Sequence, residues 1–254
     1  MIYFSIKTCW ELIQGTGGLK KSRIIDDDGN SVQSKFRTSS GSFLALSQDE
    51  MVAEIEKRIA TWTFLPPENG ENMQILRYEL HEYYVLHRDY YMSSMKMTRT
   101  LKGGNRLATV LMYLSNVTKG GETIFPQAQG YLPRDDAGDL SECAKEKGGL
   151  SVKPFKGDAL LFFNLHPNAT GDPRTLHGSC PVVEGEKWVA TKWIRERGNY
   201  SDACEEDANE ECPELAARGE CERNPFYMVG FNGTAGNCMK SCGACGDGES
   251  SSSS

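Results

Sequence analysis

Tyr83-Tyr84-Val85-Leu86-His87-Arg88-Asp89-Tyr90-Tyr91 packs aromatic and apolar residues around one histidine and one aspartate. Such a run predicts a β-strand. Alternate side chains of a strand point to one face, so His87 and Asp89 would project together while Arg88 points away. Strand-like runs of the same kind lie on both sides. Met73–Leu80 precedes it, and Leu107–Ser115, Leu150–Phe155, Ala159–Leu165 and Trp188–Arg195 follow, separated by Gly, Asn, Asp and Pro clusters. Several short strands behind a helical lead-in predict a mainly β fold with flanking helices, a jelly roll or a related barrel.

The lead-in has two parts. Cys9, Leu12 and Ile13 sit at helical spacing within Thr8–Gln14, stopped by Gly15. Met51, Val52, Ile55, Ile59 and Trp62 then recur at i, i+3/i+4, which predicts an amphipathic helix over 48–62. Ser47-Gln48-Asp49-Glu50 reads as its capping box, and Pro66-Pro67 forbids its continuation. Residues 116–149 read as a long loop region around Gly120-Gly121 and Asp135-Asp136.

The chain has 254 residues, 39% hydrophobic and 25% charged, enough for one large domain and a small satellite. Its net charge of −7 is unevenly placed: residues 199–254 carry 11 acids and 3 bases, leaving 24 acids and 25 bases before them. Without a dense basic region, a nucleic-acid partner is not expected. No apolar run reaches the ~18–20 residues that span a bilayer. Ile2–Ile6 is too short, and lacks the basic flank, for a signal peptide. Six of the nine cysteines nevertheless cluster between Cys204 and Cys245, which argues for an oxidising compartment. These two facts together lead us to expect an N-terminal truncation or an incomplete gene model.

Only four histidines occur: His81, His87, His166 and His177. A bare H-x-D is more often a solvated pair near a turn than a ligand pair, so its company matters. His177 brought in from a distant strand completes a two-histidine, one-carboxylate set, which holds Fe(II) on one face and leaves three positions for substrates. Lys187, ten residues after His177, starts the next strand of such a barrel and would aim its ammonium at a dicarboxylate on the metal. Tyr78 and Tyr84 precede His87, and a phenol there would donate to that carboxylate or shape the pocket. His81 and His166 read as structural or solvated.

From Arg37 to Arg195 the chain resembles the catalytic domain of prolyl 4-hydroxylases of the plant and algal type. The resemblance is carried by Arg37-Thr38-Ser39-Ser40-Gly41, Ile55–Ala60, Tyr78…Tyr84-x-x-His87-x-Asp89-Tyr90 and Arg106-Leu107-Ala108-Thr109. It continues through Gly120-Gly121-Glu122-Thr123, Phe125-Pro126, Leu150–Pro154, Gly157–Leu160, Leu176-His177-Gly178 and Thr191-Lys192-Trp193. It implies a double-stranded β-helix (jelly roll) core over 1–198. It implies Fe(II) on His87, Asp89 and His177, and 2-oxoglutarate held by Lys187 with Tyr78, Thr123 and Thr191. A peptide groove would draw on Arg37, Ser39, Glu71, Tyr84, Arg106 and Trp193. The implied activity is of the procollagen-proline 4-dioxygenase type. Proline in a proline-rich or collagen-like polypeptide is hydroxylated at C4, with O2 consumed and 2-oxoglutarate decarboxylated to succinate and CO2. Ascorbate would restore iron oxidised in uncoupled turnovers. Two departures bear on peptide preference: Arg195 stands where algal relatives carry a histidine, and Val85-Leu86 replaces a Glu-Pro pair. The chain starts within the family's first helix, so a membrane anchor would belong to a longer form.

The tail spacing, C-x7-C-x8-C-x16-C-x3-C-x2-C, allows 15 pairings. Cys242-x2-Cys245 has zinc-ligand spacing, but the segment has no second such pair and no histidine. Gly219-Glu220-Cys221 and Asn224-Pro225-x-Tyr227-Met228 make residues 204–245 resemble a small disulfide-rich ShK toxin-like module. That resemblance implies Cys204–Cys245, Cys212–Cys238 and Cys221–Cys242. Residues 246–254 are Gly/Ser-rich and read as a disordered end. Cys143 and Cys180 would bridge or stay buried thiols. Sequons at Asn116, Asn168, Asn199 and Asn232 are a modest signal, and the clustered cysteines and the family resemblance lead us to expect the endoplasmic reticulum lumen or secretory pathway. Two other readings remain open: the same chemistry on another residue or on a non-collagen polypeptide, and a secreted binding protein acting through the tail module. Channel block by that module is disfavoured, because Lys240 is its single lysine in a strongly acidic segment.

Overall fold

The structure, a computed structural model, describes residues 18–25, 31–33, 35–92, 103–130, 140–196, 207, 209, 211–231, 234–235 and 237–244. The expected helix at Thr8–Gln14, Cys9, the Cys204–Cys245 pair, the sequons at Asn199 and Asn232 and the tail 246–254 lie outside the described residues. The first strands are β1 (Lys20–Lys21), β2 (Arg23–Ile25), β3 (Ser31–Gln33), β4 (Ser40–Leu44), β5 (Met73–Tyr78), β6 (Tyr84–His87) and β7 (Arg106–Tyr113). They are followed by β8 (Val117–Gly120), β9 (Thr123–Phe125), β10 (Leu150–Val152), β11 (Ala159–Phe163), β12 (His177–Ser179), β13 (Val182–Gly185) and β14 (Lys187–Arg195). Two antiparallel sheets form the mainly β jelly roll: a large one ordered β1-β4-β5-β14-β7-β11 and a small one ordered β10-β9-β12-β6.

The three central strands of the large sheet are buried on both faces, so they read as nearly continuous apolar runs. Their alternation still sorts them. Met73 and Ile75 of β5, Ala108, Val110 and Met112 of β7, and Ala190 and Ile194 of β14 form one core with Leu44. The alternate residues Leu76, Tyr78, Thr109, Leu111, Lys187, Val189, Thr191 and Trp193 line the cleft between the sheets. The register Lys187↔Tyr78 and Trp193↔Thr109 fixes these positions side by side.

Helix α1 (Glu50–Thr63) closes the outer core with Val52, Ile55 and Ile59. Burying each such side chain is worth roughly 1.5–3 kcal/mol, which exceeds what local propensity supplies. The expected capping box is not what starts it. Asp49 is the cap, its carboxylate accepting from Val52 N at 2.9 Å, while Ser47 has a left-handed φ of 47°. The Ser47 amide instead donates to Glu56 at 3.0 Å, because the helix carboxylate is already drawn inward by buried Lys192. The helix ends at Thr63, ahead of Pro66-Pro67, with Phe64 as a left-handed cap.

The described parts of 116–149 hold more regular structure than the expected loop. They hold β8, β9 and α2 (Glu142–Lys147), and α2 is tied to the end of β12 by the Cys143–Cys180 disulfide. The turn at Gly120-Gly121 needs glycine: φ is 79° and 69°, and a Cβ on Gly120 would lie 2.3 Å from the Pro181 carbonyl. The C-terminal region contains α3 (Cys212–Ala217), α4 (Glu220–Arg223) and α5 (Pro225–Met228) around Cys212–Cys238 and Cys221–Cys242. Cys212, Met228 and Cys238 are its buried centre. So small a core leaves its stability resting on the crosslinks. No helix among the described residues is long and apolar enough to cross a membrane.

Candidate active site

Strand β6 stops at His87, where it pairs with the first residue of β12, His177. Asp89 therefore lies past the strand in a bend, and alternation along a strand is not what aims it. Its carboxylate is set by Thr109 on β7, whose Oγ1 donates to Asp89 Oδ2 at 2.8 Å. Thr109 Oγ1 in turn accepts from Asn164 Nδ2 at 2.9 Å. Both of these polar residues are fully buried, so the chain of donors is shielded from competing water.

The histidines are fixed in the same way. His87 Nδ1 lies 2.9 Å from the Val85 carbonyl and His177 Nδ1 lies 2.8 Å from the Thr175 carbonyl. A carbonyl only accepts, so each Nδ1 carries the proton and each Nε2 keeps its lone pair. Those Nε2 atoms lie 3.6 and 3.7 Å from the two oxygens of Asp89. Tyr84 stacks on His87 with centroids 3.6 Å apart, while Phe125 and Phe162 pack on His177, so neither ring can turn. Burial and the facing His177 push the His87 pKa down, keeping it neutral. Burial pushes the Asp89 pKa up, but the histidines whenever they carry positive charge, Arg106 and the Thr109 hydroxyl outweigh it and hold it below the usual carboxylate range. Ligand atoms of His87, Asp89 and His177 lie within 4.8 Å of one another. Two imidazoles oriented through Nδ1 and one carboxylate, each with prearranged partners, fit a divalent transition metal such as Fe(II).

Across the cleft, Lys187 is 2% exposed and donates to Ser179 Oγ at 2.8 Å. Its ammonium sits over the rings of Tyr78 and Tyr113, at 5.3 and 5.9 Å. Burial pushes its pKa down to about 7, with Glu122 opposing. A buried cation facing a cavity, with no carboxylate within 4 Å among the described residues, fits an anionic ligand group. Thr123 and Thr191 line the same cavity, and Tyr113 holds Thr123 through a 2.9 Å hydrogen bond.

The residues expected along a peptide groove divide. Arg37, Tyr84 and Trp193 line both the metal cavity and the groove outside it, and Glu71 and Arg106 line the groove alone. Arg106 grips Glu71 through two 2.8 Å hydrogen bonds and lies 4.0 Å over the Trp193 ring. Arg195 adds a third contact to Glu71 at 3.0 Å. Ser39 does not reach the cavity: it is fully buried, with its hydroxyl 3.0 Å from that of Ser22. Sequence reasoning missed Thr109, Asn164, Ser179, Phe162 and Tyr113. The available signal was a polar Thr109 inside the apolar run of β7.

Residues 73–195 match the 2OG-Fe(II) oxygenase superfamily. The chain is 52% identical over 248 residues to the probable prolyl 4-hydroxylase 6 of Arabidopsis thaliana, covering 96% of this chain and 84% of that one. With prolyl 4-hydroxylase 2 of the same plant it shares 51% over 235 residues, 89% of this chain and 77% of the relative. The crystal structure of the viral collagen prolyl hydroxylase from Paramecium Bursaria Chlorella virus-1, in its 2OG complex, superposes with a TM-score of 0.54 at 25% identity. The match covers 76% of this chain and 91% of that one. With its metal-ligating triad and buried lysine facing one cavity, and relatives matched along nearly the whole sequence, the chain belongs to the prolyl 4-hydroxylases of the 2OG-Fe(II) oxygenase superfamily.

Proposed function

We propose that the protein hydroxylates peptidyl proline at C4 in proline-rich or collagen-like polypeptides, with 2-oxoglutarate decarboxylated to succinate and CO2. The observation that carries this reading is the buried face of His87, Asp89 and His177 set in one cavity with Lys187. Fe(II), when bound there, supplies the redox chemistry with O2. The chain's own residues do the rest. His87 and His177 present fixed Nε2 lone pairs, and Asp89 is held ionised by the Thr109 hydroxyl. Lys187 and Ser179 would hold the distal carboxylate of 2-oxoglutarate, with Tyr78, Thr123 and Thr191 forming the walls.

Tyr84, Phe162 and Trp193 make the mouth apolar, which suits a prolyl ring and excludes bulk water from the cavity. Arg37 Nε and Trp193 Nε1 are buried without an acceptor among the described residues, and the backbone carbonyls of a bound polypeptide would satisfy them. Ascorbate would return oxidised metal to Fe(II). The disulfides support work in the secretory pathway, where such bonds persist.

The test is incubation of the iron-loaded protein with 2-oxoglutarate, ascorbate and a panel of proline-rich and collagen-like peptides. Succinate release should match 4-hydroxyproline formation one for one by mass spectrometry. Succinate without any hydroxylated proline across the panel would move the target to another residue.

A further inference from the structure

The cleft continues beyond the metal face. A groove of about 730 Å³ begins at His87 and Asp89, passes Trp193, and reaches Lys20, Phe36 and Phe43 at the outer edge of the large sheet. That volume lies high in the roughly 300–1,000 Å³ range of sites that enclose a whole small ligand, so the groove holds more than one prolyl ring. Its outer end differs in chemistry from its inner end. Phe36 and Phe43 are 50% and 57% exposed, two large rings with solvent on one side. Lys20, Lys21, Arg23 and Arg88 line the groove as well, all exposed.

The only carboxylates lining it, among the described residues, are Glu71 and Asp89. Neither balances Lys20 or Arg88. Asp89 belongs to the metal face, and Glu71 is shared by Arg106 and Arg195, which leaves one guanidinium charge in excess. Lys21 is paired with Glu82, but Lys20 and Arg88 have no acidic partner among the described residues. Among the described residues the groove is therefore lined by more cations than carboxylates, has aromatic edges, and is continuous with the catalytic cavity. A positive, low-lying channel concentrates and orients negative ligands.

We infer that the outer groove is a flank subsite. Resting on the reading of the protein as a prolyl hydroxylase, it receives the substrate chain several residues away from the target proline and favours chains carrying Asp or Glu there. Each exposed pair is weak and screened, so selection works through several contacts and shows in KM rather than in the chemical step.

The experiment uses the full, iron-loaded protein and peptides with one proline core whose short flanks are acidic, neutral or basic, placed on either side. At about 20 mM salt, an acidic flank on one side should raise kcat/KM about 3- to 10-fold over the neutral peptide, mostly through KM. At about 500 mM salt that advantage should shrink toward unity. Lys20→Glu, an exposed change distant from the metal, should reduce the preference while leaving kcat on the neutral peptide unchanged. Equal kcat/KM for all three flanks on both sides at low salt overturns the proposal, as does a preference untouched by Lys20→Glu. If no peptide in the set is hydroxylated, the prolyl hydroxylase reading itself fails.

Discussion

Thr109 Oγ1 stands 2.8 Å from Asp89 Oδ2, on a strand that supplies no metal ligand of its own. Its single proton goes to Asp89, because an ionised carboxylate only accepts, while the hydroxyl oxygen itself accepts from Asn164 Nδ2 at 2.9 Å. The carboxylate is thus held in one rotamer from the opposite sheet, before any metal arrives. Thr109→Val keeps the shape and removes the donor, leaving Asp89 buried with one fewer hydrogen bond. Loss of such an outer partner typically weakens metal binding about 10- to 100-fold. Titration of the variant with Co(II) or Mn(II) should show that loss without any assay of turnover. Wild-type affinity would mean the hydroxyl contributes nothing to the site.

Lys187 connects binding to pH. Burial lowers its pKa to about 7, and a bound dicarboxylate restores the charged form. Binding of 2-oxoglutarate should therefore take up a proton above pH 7, and affinity for the free protein should fall as pH rises from 7 to 9. Calorimetry in buffers of different ionisation heats measures that uptake. For folding, the sign is opposite. The unfolded lysine holds its proton up to about 10.4, so the penalty of burying the ammonium is relieved between pH 7 and that value. Lys187→Ala should raise the KM for 2-oxoglutarate roughly 30-fold or more, since losing a buried charge-assisted partner costs about 2–5 kcal/mol. Iron affinity should hardly change. Lys187→Arg should recover only part, because its longer planar fork is aimed differently.

Much of this site was legible in the chain through the family resemblance, while periodicity placed the long strands that carry part of it. Lys187, Val189, Thr191 and Trp193 fall on one face of β14 at two-residue spacing, whereas Thr109, beside Trp193 on β7, was read only as part of an apolar run. What periodicity does not reach are several of the three- and four-residue strands. His177–Ser179 contains a glycine and has no alternation to read, yet it supplies a ligand and the Lys187 acceptor. β8, β9 and β13 were hidden for the same reason, their pairing being set by distant chain. The end of β6 at His87 was equally invisible, since it follows from the register with β12 rather than from any local breaker.

The Cys143–Cys180 disulfide holds α2 against the segment that carries Ser179. Glu122 reinforces that wall: fully buried, it accepts from the amide and hydroxyl of Ser141 at 2.8 and 2.7 Å, and its carbonyl accepts from Cys180 N. Removing a crosslink that closes a loop of 37 residues should cost about 4 kcal/mol by chain entropy. The double variant Cys143→Ser/Cys180→Ser should show that loss in urea unfolding. Because Ser179 adjoins the released cysteine, 2-oxoglutarate binding should weaken more than metal binding. Equal losses for both ligands would point to general unfolding instead.

Behind the cavity, Lys192 and Glu56 form an ion pair at 2.5 Å, with both side chains at most 5% exposed. Lys192 lies between Thr191 and Trp193, which face the cavity, so the pair fixes α1 to the strand that carries them. Glu56 follows Val52 by four residues and precedes Ile59 by three, placing it within the apolar stripe of the helix. Its second oxygen accepts from Ser47, and burial pushes the Lys192 pKa down against the pull of Glu56. Breaking a buried pair from one side strands the other charge. Glu56→Gln and Lys192→Met should each cost about 3–5 kcal/mol in denaturant unfolding. The double variant Glu56→Leu/Lys192→Met removes both charges and should be much less destabilised than the sum of its parts. Its cavity face stays intact, so 2-oxoglutarate binding should be near wild type. Additive losses in the double variant would show that the two side chains act independently, and that α1 is held by Val52, Ile55 and Ile59 alone.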